Sequence, residues 1–301
     1  MSEPVHKEKN VLGGELLACG YAPLTGFFRD GCCATRGEDG VAHLVCVRVT
    51  PEFLEFSVET SDILASLGFY KSLGFTELES GDVWSHKYAV VGDGELCIGL
   101  HERNFDSPTL TFVQRDLAKH ARSMTDHGFN FSLMRLDEDV FNELGLTDRD
   151  GNMIRMVEAR TFHAAGESVL DSLCGRSFEV SLPVREAVHS AQFWASVAPA
   201  LLRMREEPTT HMRFDVGGVA VGLSESIALE QPSLCFRCQD KAALSALIEN
   251  EGLPHERFPG FEGAFVAIKA PEGTTLFVFD EDFLGESYEV DESGDPSEFP
   301  G

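Results

Sequence analysis

Thr60-Ser61-Asp62-Ile63-Leu64-Ala65-Ser66-Leu67-Gly68-Phe69-Tyr70 is the stretch whose pattern sets the architecture. Thr60-Ser61-Asp62 offers a helix N-cap, because a short side-chain oxygen accepts from backbone N–H groups that the first turn leaves open. Ile63, Leu64, Leu67 and Tyr70 then recur at helical spacing, and Gly74 marks the stop. Upstream, Leu54-Glu55-Phe56-Ser57-Val58 alternates apolar and polar residues, as a half-buried strand does. Downstream, short strands are predicted over Lys87–Val91 and Leu96–Leu100, with Gly92-Asp93-Gly94 as the turn between them. The order then repeats. A strand over Thr109–Val113 precedes a helix over Asp116–Asp126, stopped at Gly128, and a last strand over Met153–Val157 follows Asp148-Arg149-Asp150-Gly151-Asn152.

The whole pattern occurs a second time. Phe69-Tyr70 recurs as Phe193-Trp194, 124 residues on. Gly99-Leu100 recurs as Gly222-Leu223, Gln114-Arg115-Asp116 as Cys238-Gln239-Asp240, Gly128 as Gly252, and Gly151 as Gly273. A nearly constant offset over so long a span indicates two copies of one unit. The second runs from Phe178 to Phe279.

Composition bounds the possible partners. The 301 residues, 43% hydrophobic and 25% charged, suffice for more than one globular core. No run of about 18 apolar residues suggests a membrane span, and Met1–Asn10 lacks the basic-then-apolar order of a secretory signal, so the expected location is the cytoplasm. Fifty acidic against 24 basic residues give a net charge of −26, which disfavours nucleic acid and anionic membranes as partners. Residues 283–301 carry acidic side chains and no basic one, and are expected to form a disordered tail.

Strand, helix ending in Phe69-Tyr70, Asp116-Leu117 opening a second helix and Asp148-Arg149-Asp150-Gly151-Asn152 before the last strand together resemble the vicinal-oxygen-chelate superfamily of glyoxalases, ring-cleaving dioxygenases and bleomycin-resistance proteins. The resemblance implies an α+β fold of two tandem domains, built from four βαβββ modules whose sheets curl around clefts. The domains are expected over 53–160 and 177–282, joined by a linker over 161–176 and preceded by a Cys-rich segment over 1–52.

Strand alternation then assigns faces. Leu54, Phe56 and Val58, with Phe178, Val180 and Leu182 in the second copy, are expected under the helices. Glu55, Ser57, Glu179 and Ser181 face the clefts. Metal-dependent relatives place His, His and Glu on three central strands. Those positions fall here on Glu55, Thr109 and Arg155, and in the second copy on Glu179, Ser233 and Phe277. Arginine cannot ligate a metal and hydroxyls rarely replace imidazole, so no cofactor is predicted. A divalent metal remains possible if His86 and His101 join Glu55.

Glu55 and Arg155 are expected to pair across the first cleft, with Arg155 available to a ligand carboxylate. Thr111, Arg237 and Cys235 complete the cleft-facing candidates. Phe69, Trp84, Trp194, Phe265 and Phe277 are candidate aromatic walls. In Cys235-Phe236-Arg237-Cys238 the alternation sends the two thiols to opposite faces, which speaks against zinc or redox chemistry.

Ahead of this lies Asn10-Val11-Leu12-Gly13-Gly14-Glu15-Leu16, then Pro23-Leu24-Thr25-Gly26-Phe27-Phe28-Arg29-Asp30-Gly31-Cys32-Cys33, and a stretch from Val45-Cys46 to Ser57. These resemble the first half of the bacterial family DUF2237. Cys19, Cys32, Cys33, His43 and Cys46 are candidates for a soft-metal site, since thiolates select zinc, copper(I) or iron–sulfur clusters.

The leading function is metal-independent binding of a small polar or aromatic molecule, in the manner of bleomycin-resistance proteins. A metal-dependent lyase, isomerase or dioxygenase with unusual ligands is the first alternative, and a non-catalytic interaction protein the second. Monomer and homodimer are both open.

Overall fold

The computed structural model describes residues 51–80, 85–126, 129–137, 141–158, 172–197, 210–226, 228–258 and 264–281, with the backbone alone at 32–36, 42–46, 196 and 200–205. Two short strands, β1 (Cys32–Arg36) and β2 (Ala42–Cys46), pair antiparallel with Cys32 opposite Cys46. The tail over 283–301, most of the expected linker, Gly128 and Trp84 lie outside the described residues.

The first repeat folds as β3 (Glu52–Glu59), α1 (Ile63–Ser72), β4 (Thr76–Leu78), β5 (Tyr88–Gly92) and β6 (Cys97–His101). The same order follows as β7 (Thr109–Val113), α2 (Leu117–Asp126), β8 (Phe131–Arg135), β9 (Glu143–Thr147) and β10 (Met153–Val157). These eight strands form one sheet in the order β4-β5-β6-β3-β7-β10-β9-β8. In each βαβββ unit the first and last strands pair in parallel, and the two first strands meet antiparallel at the centre.

The second sheet copies this layout. Its elements are β11 (Arg176–Pro183), α3 (Ala187–Val197), β12 (Ala200–Arg205), β13 (His211–Val216), β14 (Val219–Ser224), β15 (Ser233–Cys238), α4 (Lys241–Glu251), β16 (His255–Glu256), β17 (Phe265–Lys269) and β18 (Thr275–Asp280). Their order is β12-β13-β14-β11-β15-β18-β17-β16. The fold is therefore α+β, as the sequence predicts. No helix among the described residues is long and apolar enough to cross a membrane.

Local chemistry accounts for the element ends. Asp62 caps α1 by accepting from Leu64 N and Ala65 N, each at 3.1 Å. Asp240 caps α4 through Ala243 N at 2.9 Å. Gly151 (φ 96°) and Gly273 (φ 95°) take left-handed backbone in the turns before β10 and β18, which explains why glycine recurs there.

A β-bulge corrects one expectation. The pairing of β3 with β7 shifts between Phe53 and Glu55, and that of β11 with β15 shifts between Ser177 and Glu179. The extra residues are Leu54 and Phe178, which the alternation places under the helices. Instead Leu54 packs with Val90, Val113 and Val157, and Phe178 packs against the cluster containing Cys235, Ala267 and Phe277. An inserted residue reverses the alternation beyond it, so strand period alone misplaces these two side chains.

The opposite faces share one core. Phe56, Val58, Phe112 and Ile154 of the first sheet join Val180, Leu182, Phe236 and Val278 of the second in a single apolar cluster with the helices. Phe69 and Trp194, candidates for cleft walls, belong to this core. Cys174, near the end of the expected linker, is buried there too, and Leu173 N donates to Leu73 O at 2.8 Å.

Polar bonds key the two sheets together. The Tyr70 hydroxyl donates to Glu272 Oε1 at 2.7 Å and Ser66 Oγ to Glu272 Oε2 at 2.8 Å, so α1 reaches the turn before β18. Reciprocally, Trp194 Nε1 donates to Asp148 Oδ2 at 3.2 Å and Ser190 Oγ to Asp150, so α3 reaches the turn before β10. Burial, then the Glu272 charge and its hydrogen bond, push the Tyr70 phenol well above its ordinary value, so it serves as a donor. Tyr70→Phe is expected to cost about 1.5–3 kcal/mol, the range for a hydrogen bond to a charged group, as measured by urea denaturation. A loss under about 0.5 kcal/mol would show that the apolar layer alone fixes the sheets.

Candidate functional site

The four central strands of the first sheet bring together the residues that the sequence points to. On the face opposite the core, Glu55 and Ser57 of β3 lie beside Thr111 and Thr109 of β7, and Arg155 of β10 lies opposite Thr111. No described helix covers this face, yet Glu55, at 2% exposure, and Thr111 are buried within it.

Glu55 is the hub. Ser57 Oγ donates to its Oε1 at 2.6 Å, His101 Nε2 contacts Oε1 at 2.8 Å, and the Tyr88 hydroxyl donates to Oε2. Thr111 and Ser57 hydroxyls bond at 2.7 Å, extending the network across β7. Room for the carboxylate comes from Gly99, where a Cβ would stand 2.2 Å from Glu55 Oε2. Burial opposes ionisation of Glu55. The hydrogen bond and charge of His101, with the Ser57 and Tyr88 hydroxyls, outweigh it and hold the carboxyl below the ordinary range.

The expected pairing of Glu55 with Arg155 is not formed. Arg155 Nη2 instead donates to Glu143, a β9 carboxylate at 1% exposure that also pairs with Arg135 at 2.7 Å. Arg155 sits opposite Gly145 in register, two residues from Glu143, so the shorter reach wins.

The second sheet builds a parallel centre with different parts. Glu179 lies over Gly222, where a Cβ would meet its Oε1 at 2.2 Å. Ser181 Oγ donates to Glu179, and His211 Nε2 contacts it at 3.0 Å. His211 comes from β13, which pairs with β14 so that His211 faces Ser224. In the first sheet the histidine comes from β6, the counterpart of β14. Burial again opposes ionisation of Glu179, and the His211 charge and hydrogen bonds, the Ser181 hydroxyl and Arg213 hold it low.

Around Glu179 the surroundings are aromatic and cationic. Arg213 and Arg237 each place their guanidinium carbon 6.0 Å from the centre of the Phe178 ring. Arg213 Nη2 donates to Phe178 O at 2.6 Å. Phe265 stacks beside Phe279 at 5.1 Å and Phe258 at 5.3 Å, and lies 5.9 Å from Phe277. Cys235 Sγ reaches Ser181 at 3.4 Å, and burial pushes its thiol far up, which removes it as a thiolate nucleophile. Cys238 faces the core, so the two thiols lie on opposite faces.

The residues present do not fit a metal held by the His, His and Glu set that the sequence resemblance implies. Thr109 Oγ1 is turned back to Asp106 O, Ser233 Oγ donates to Gln231 O at 2.9 Å, and Arg155 and Phe277 offer no ligand atom. His101 is consumed as well, with Nε2 on Glu55 and Nδ1 2.9 Å from His86 Nε2. Among the described residues no group of three or more His, Cys, Asp or Glu is arranged to hold a metal. Cys19 and the side chains of Cys32, Cys33, His43 and Cys46 lie outside the described residues.

Sequence reasoning passed over Tyr88, Glu143, His211 and Arg213. The signal for two of them was present, since His211-Met212-Arg213-Phe214-Asp215-Val216 alternates polar and apolar residues strictly.

The fold is that of the vicinal-oxygen-chelate proteins. The chain is similar to the 2,3-dioxygenase LapB from Pseudomonas sp. KL28, at a TM-score of 0.53 and 12% identity over 77% of this chain and 93% of that one. It is also similar to a catechol 2,3-dioxygenase, at 0.50 and 13% over 78% and 88%, and to a homoprotocatechuate 2,3-dioxygenase from Brevibacterium fuscum, at 0.50 and 15% over 77% and 73%. Likeness at these identities concerns the fold. A sequence profile described as an uncharacterized protein conserved in bacteria, DUF2237, matches residues 9–90. That match runs past Ser57, where the resemblance was expected to end, and into β5. No curated protein matches the sequence.

Two outcomes test this geometry. Gly99→Ala is expected to cost about 1–3 kcal/mol, because its methyl displaces a hydrogen-bonded buried carboxylate. In a Glu55→Ala background the same change is expected to cost less, and additivity in the double-mutant cycle would count against the close approach. The depressed Glu55 carboxyl stabilises the fold above the ordinary Glu value of about 4.3, and that stability is lost as pH falls through its lower folded value. Urea unfolding at pH 7 and at about pH 3 is therefore expected to differ less for Glu55→Gln than for the wild type.

Proposed function

We propose that the protein binds a small aromatic or polar anion without a metal, on the face of the second sheet around Glu179. The observation that carries this reading is the replacement of chelating side chains at Thr109, Arg155, Ser233 and Phe277, beside a centre that retains Arg213, Arg237 and an aromatic wall. Guanidinium groups beside phenyl rings suit a flat ligand with one anionic edge, because rings supply dispersion and the cations supply direction. Arg155 is a weaker candidate for that task than the sequence suggests, since Glu143 already engages it.

A second reading, a metal-dependent ring-cleaving dioxygenase, is favoured by the likeness to solved enzymes of that type. It requires two further ligands beside Glu55 or Glu179.

The test uses benzoate and benzamide as probes, followed by ligand-observed NMR on metal-analysed protein. Benzoate is expected to bind and benzamide to bind more weakly, with Arg237→Gln costing about 10- to 100-fold in benzoate affinity, the equivalent of losing one charge-assisted hydrogen bond. Equal binding of both probes would refute the anion site. A stoichiometric divalent metal lost in Glu179→Ala or Glu55→Ala, with oxygen-dependent cleavage of catechol, would establish the dioxygenase reading in its place.

A further inference from the structure

The two sheets differ at one position of their central strands that the fold itself does not dictate. Where β7 carries Val113, packed with Leu54, Val90 and Val157, the matching position of β15 is Arg237, opposite Phe279. Arg237 is half-buried, and its guanidinium carbon lies 6.0 Å from the centre of the Phe178 ring. Among the described residues it has no carboxylate within ion-pair distance and its Nε has no hydrogen-bond partner. A cation kept on an aromatic rim in this way points to an anion that the described residues do not supply. We infer that the acidic segment Glu286-Ser287-Tyr288-Glu289-Val290-Asp291-Glu292 of this same chain docks on that rim.

The rim holds more cations than Arg237. Lys241, Arg257, Phe265, Phe279 and Asp280 line one depression where β15 and β18 end, and Arg257 is exposed there. The carboxylates at this end already have partners. Asp280 pairs with Lys241 at 3.0 Å, and Asp240 accepts from Ala243 N at the cap of α4. On a chain of net charge −26, basic side chains gathered around two phenyl rings are a local reversal of sign.

Chain geometry brings the segment to the same place. β18 ends at Asp280, one residue past the Phe279 that faces Arg237 across two parallel strands. The chain therefore departs one strand away from Arg237, about 4.8 Å at the backbone. The five residues from Glu281 to Gly285 span about 12 Å as an average coil, enough to turn back over the face and set Glu286 beside the guanidinium. Residues 283–301 hold six carboxylates and no basic side chain, and four of the six fall between Glu286 and Glu292. Tyr288 stands among those four, so the segment offers an aromatic ring beside anions, the complement of guanidinium groups beside phenyl rings. Tethering by a short linker gives an effective concentration of about a millimolar, so contacts too weak to hold a free peptide suffice in cis.

The inference rests on the anion-binding reading of this sheet, and the experiment separates the two. The probe is a fluorescein-labelled peptide with the sequence of residues 284–294. It is titrated against the full-length wild type and a full-length variant carrying Glu286→Gln, Glu289→Gln, Asp291→Asn and Glu292→Gln. Anisotropy is expected to show the peptide binding the variant at least about tenfold more tightly than the wild type, whose own segment holds the rim. Adding Arg237→Gln, or Arg257→Gln at its exposed position, is expected to weaken that binding about 3- to 10-fold, and salt near about 0.5 M to weaken it further. Benzoate is expected to bind the neutralised variant about tenfold more tightly than the wild type. Equal peptide binding by the two proteins, or binding indifferent to both arginines, would overturn docking in cis. A wild-type dimer that the neutralised variant does not form, seen by sedimentation, would place the segment on a second copy and overturn the cis form as well. Benzoate that binds both proteins equally would remove the segment from Arg237 and leave the anion site standing. Benzoate that binds neither, with the peptide still held through Arg237, would refute the small-anion site and leave the docking intact.

Discussion

The reciprocal bonds between helix and turn are the contacts that fix how the two sheets meet. Each sheet offers an acidic turn before its last strand, and each receives the polar end of an aromatic pair from the other repeat. The apolar layer between the sheets supplies most of the stabilisation, because each buried core side chain contributes about 1.5–3 kcal/mol. Such a layer is indifferent to small sliding. Hydroxyl and indole donors reaching single carboxylates are not, since a misplaced sheet would strand buried polar atoms. The recurrence of Tyr70 at Trp194 and of Ser66 at Ser190 is thus a property of the interface as much as of either helix.

With the helices committed to the shared core, the other face of each sheet is left to the central strands. There a carboxylate lies flat over a glycine in both copies. The bulge at Leu54 and Phe178 belongs to the same design, since it puts an apolar side chain next to the carboxylate and lowers the local polarity. A carboxylate in such surroundings needs donors. The two sheets recruit them from different strands, His101 from β6 and His211 from β13.

Much of the fold was legible because its signals are local. The caps at Asp62 and Asp240, the left-handed glycines at 151 and 273, and the helical spacing up to Tyr70 each act within a few residues. The misplacement of Leu54 and Phe178 has a definite cause, since a bulge is a disagreement between two strands and neither sequence alone carries it. The site was legible in its carboxylates and hydroxyls but not in its pairings. Arg155 stands on a strand next to β9, and a choice between Glu55 and Glu143 depends on side-chain reach across register. Gly99 and Gly222 were visible as repeats, yet their purpose required the carboxylates above them.

That the two copies satisfy the same buried glutamate with histidines from different strands bears on what has been kept. A metal site demands fixed donor positions, because ligand geometry is part of the binding energy. Charge neutralisation demands only that a donor arrive within hydrogen-bond distance. Moving the imidazole from β6 to β13 changes its direction of approach while keeping the Glu–His contact at 2.8 and 3.0 Å. Such freedom to relocate the histidine is what the hydrogen-bonding needs of a buried carboxylate permit. The hydroxyls at Thr109 and Ser233 show the same local economy, each turned back to a carbonyl of its own preceding loop.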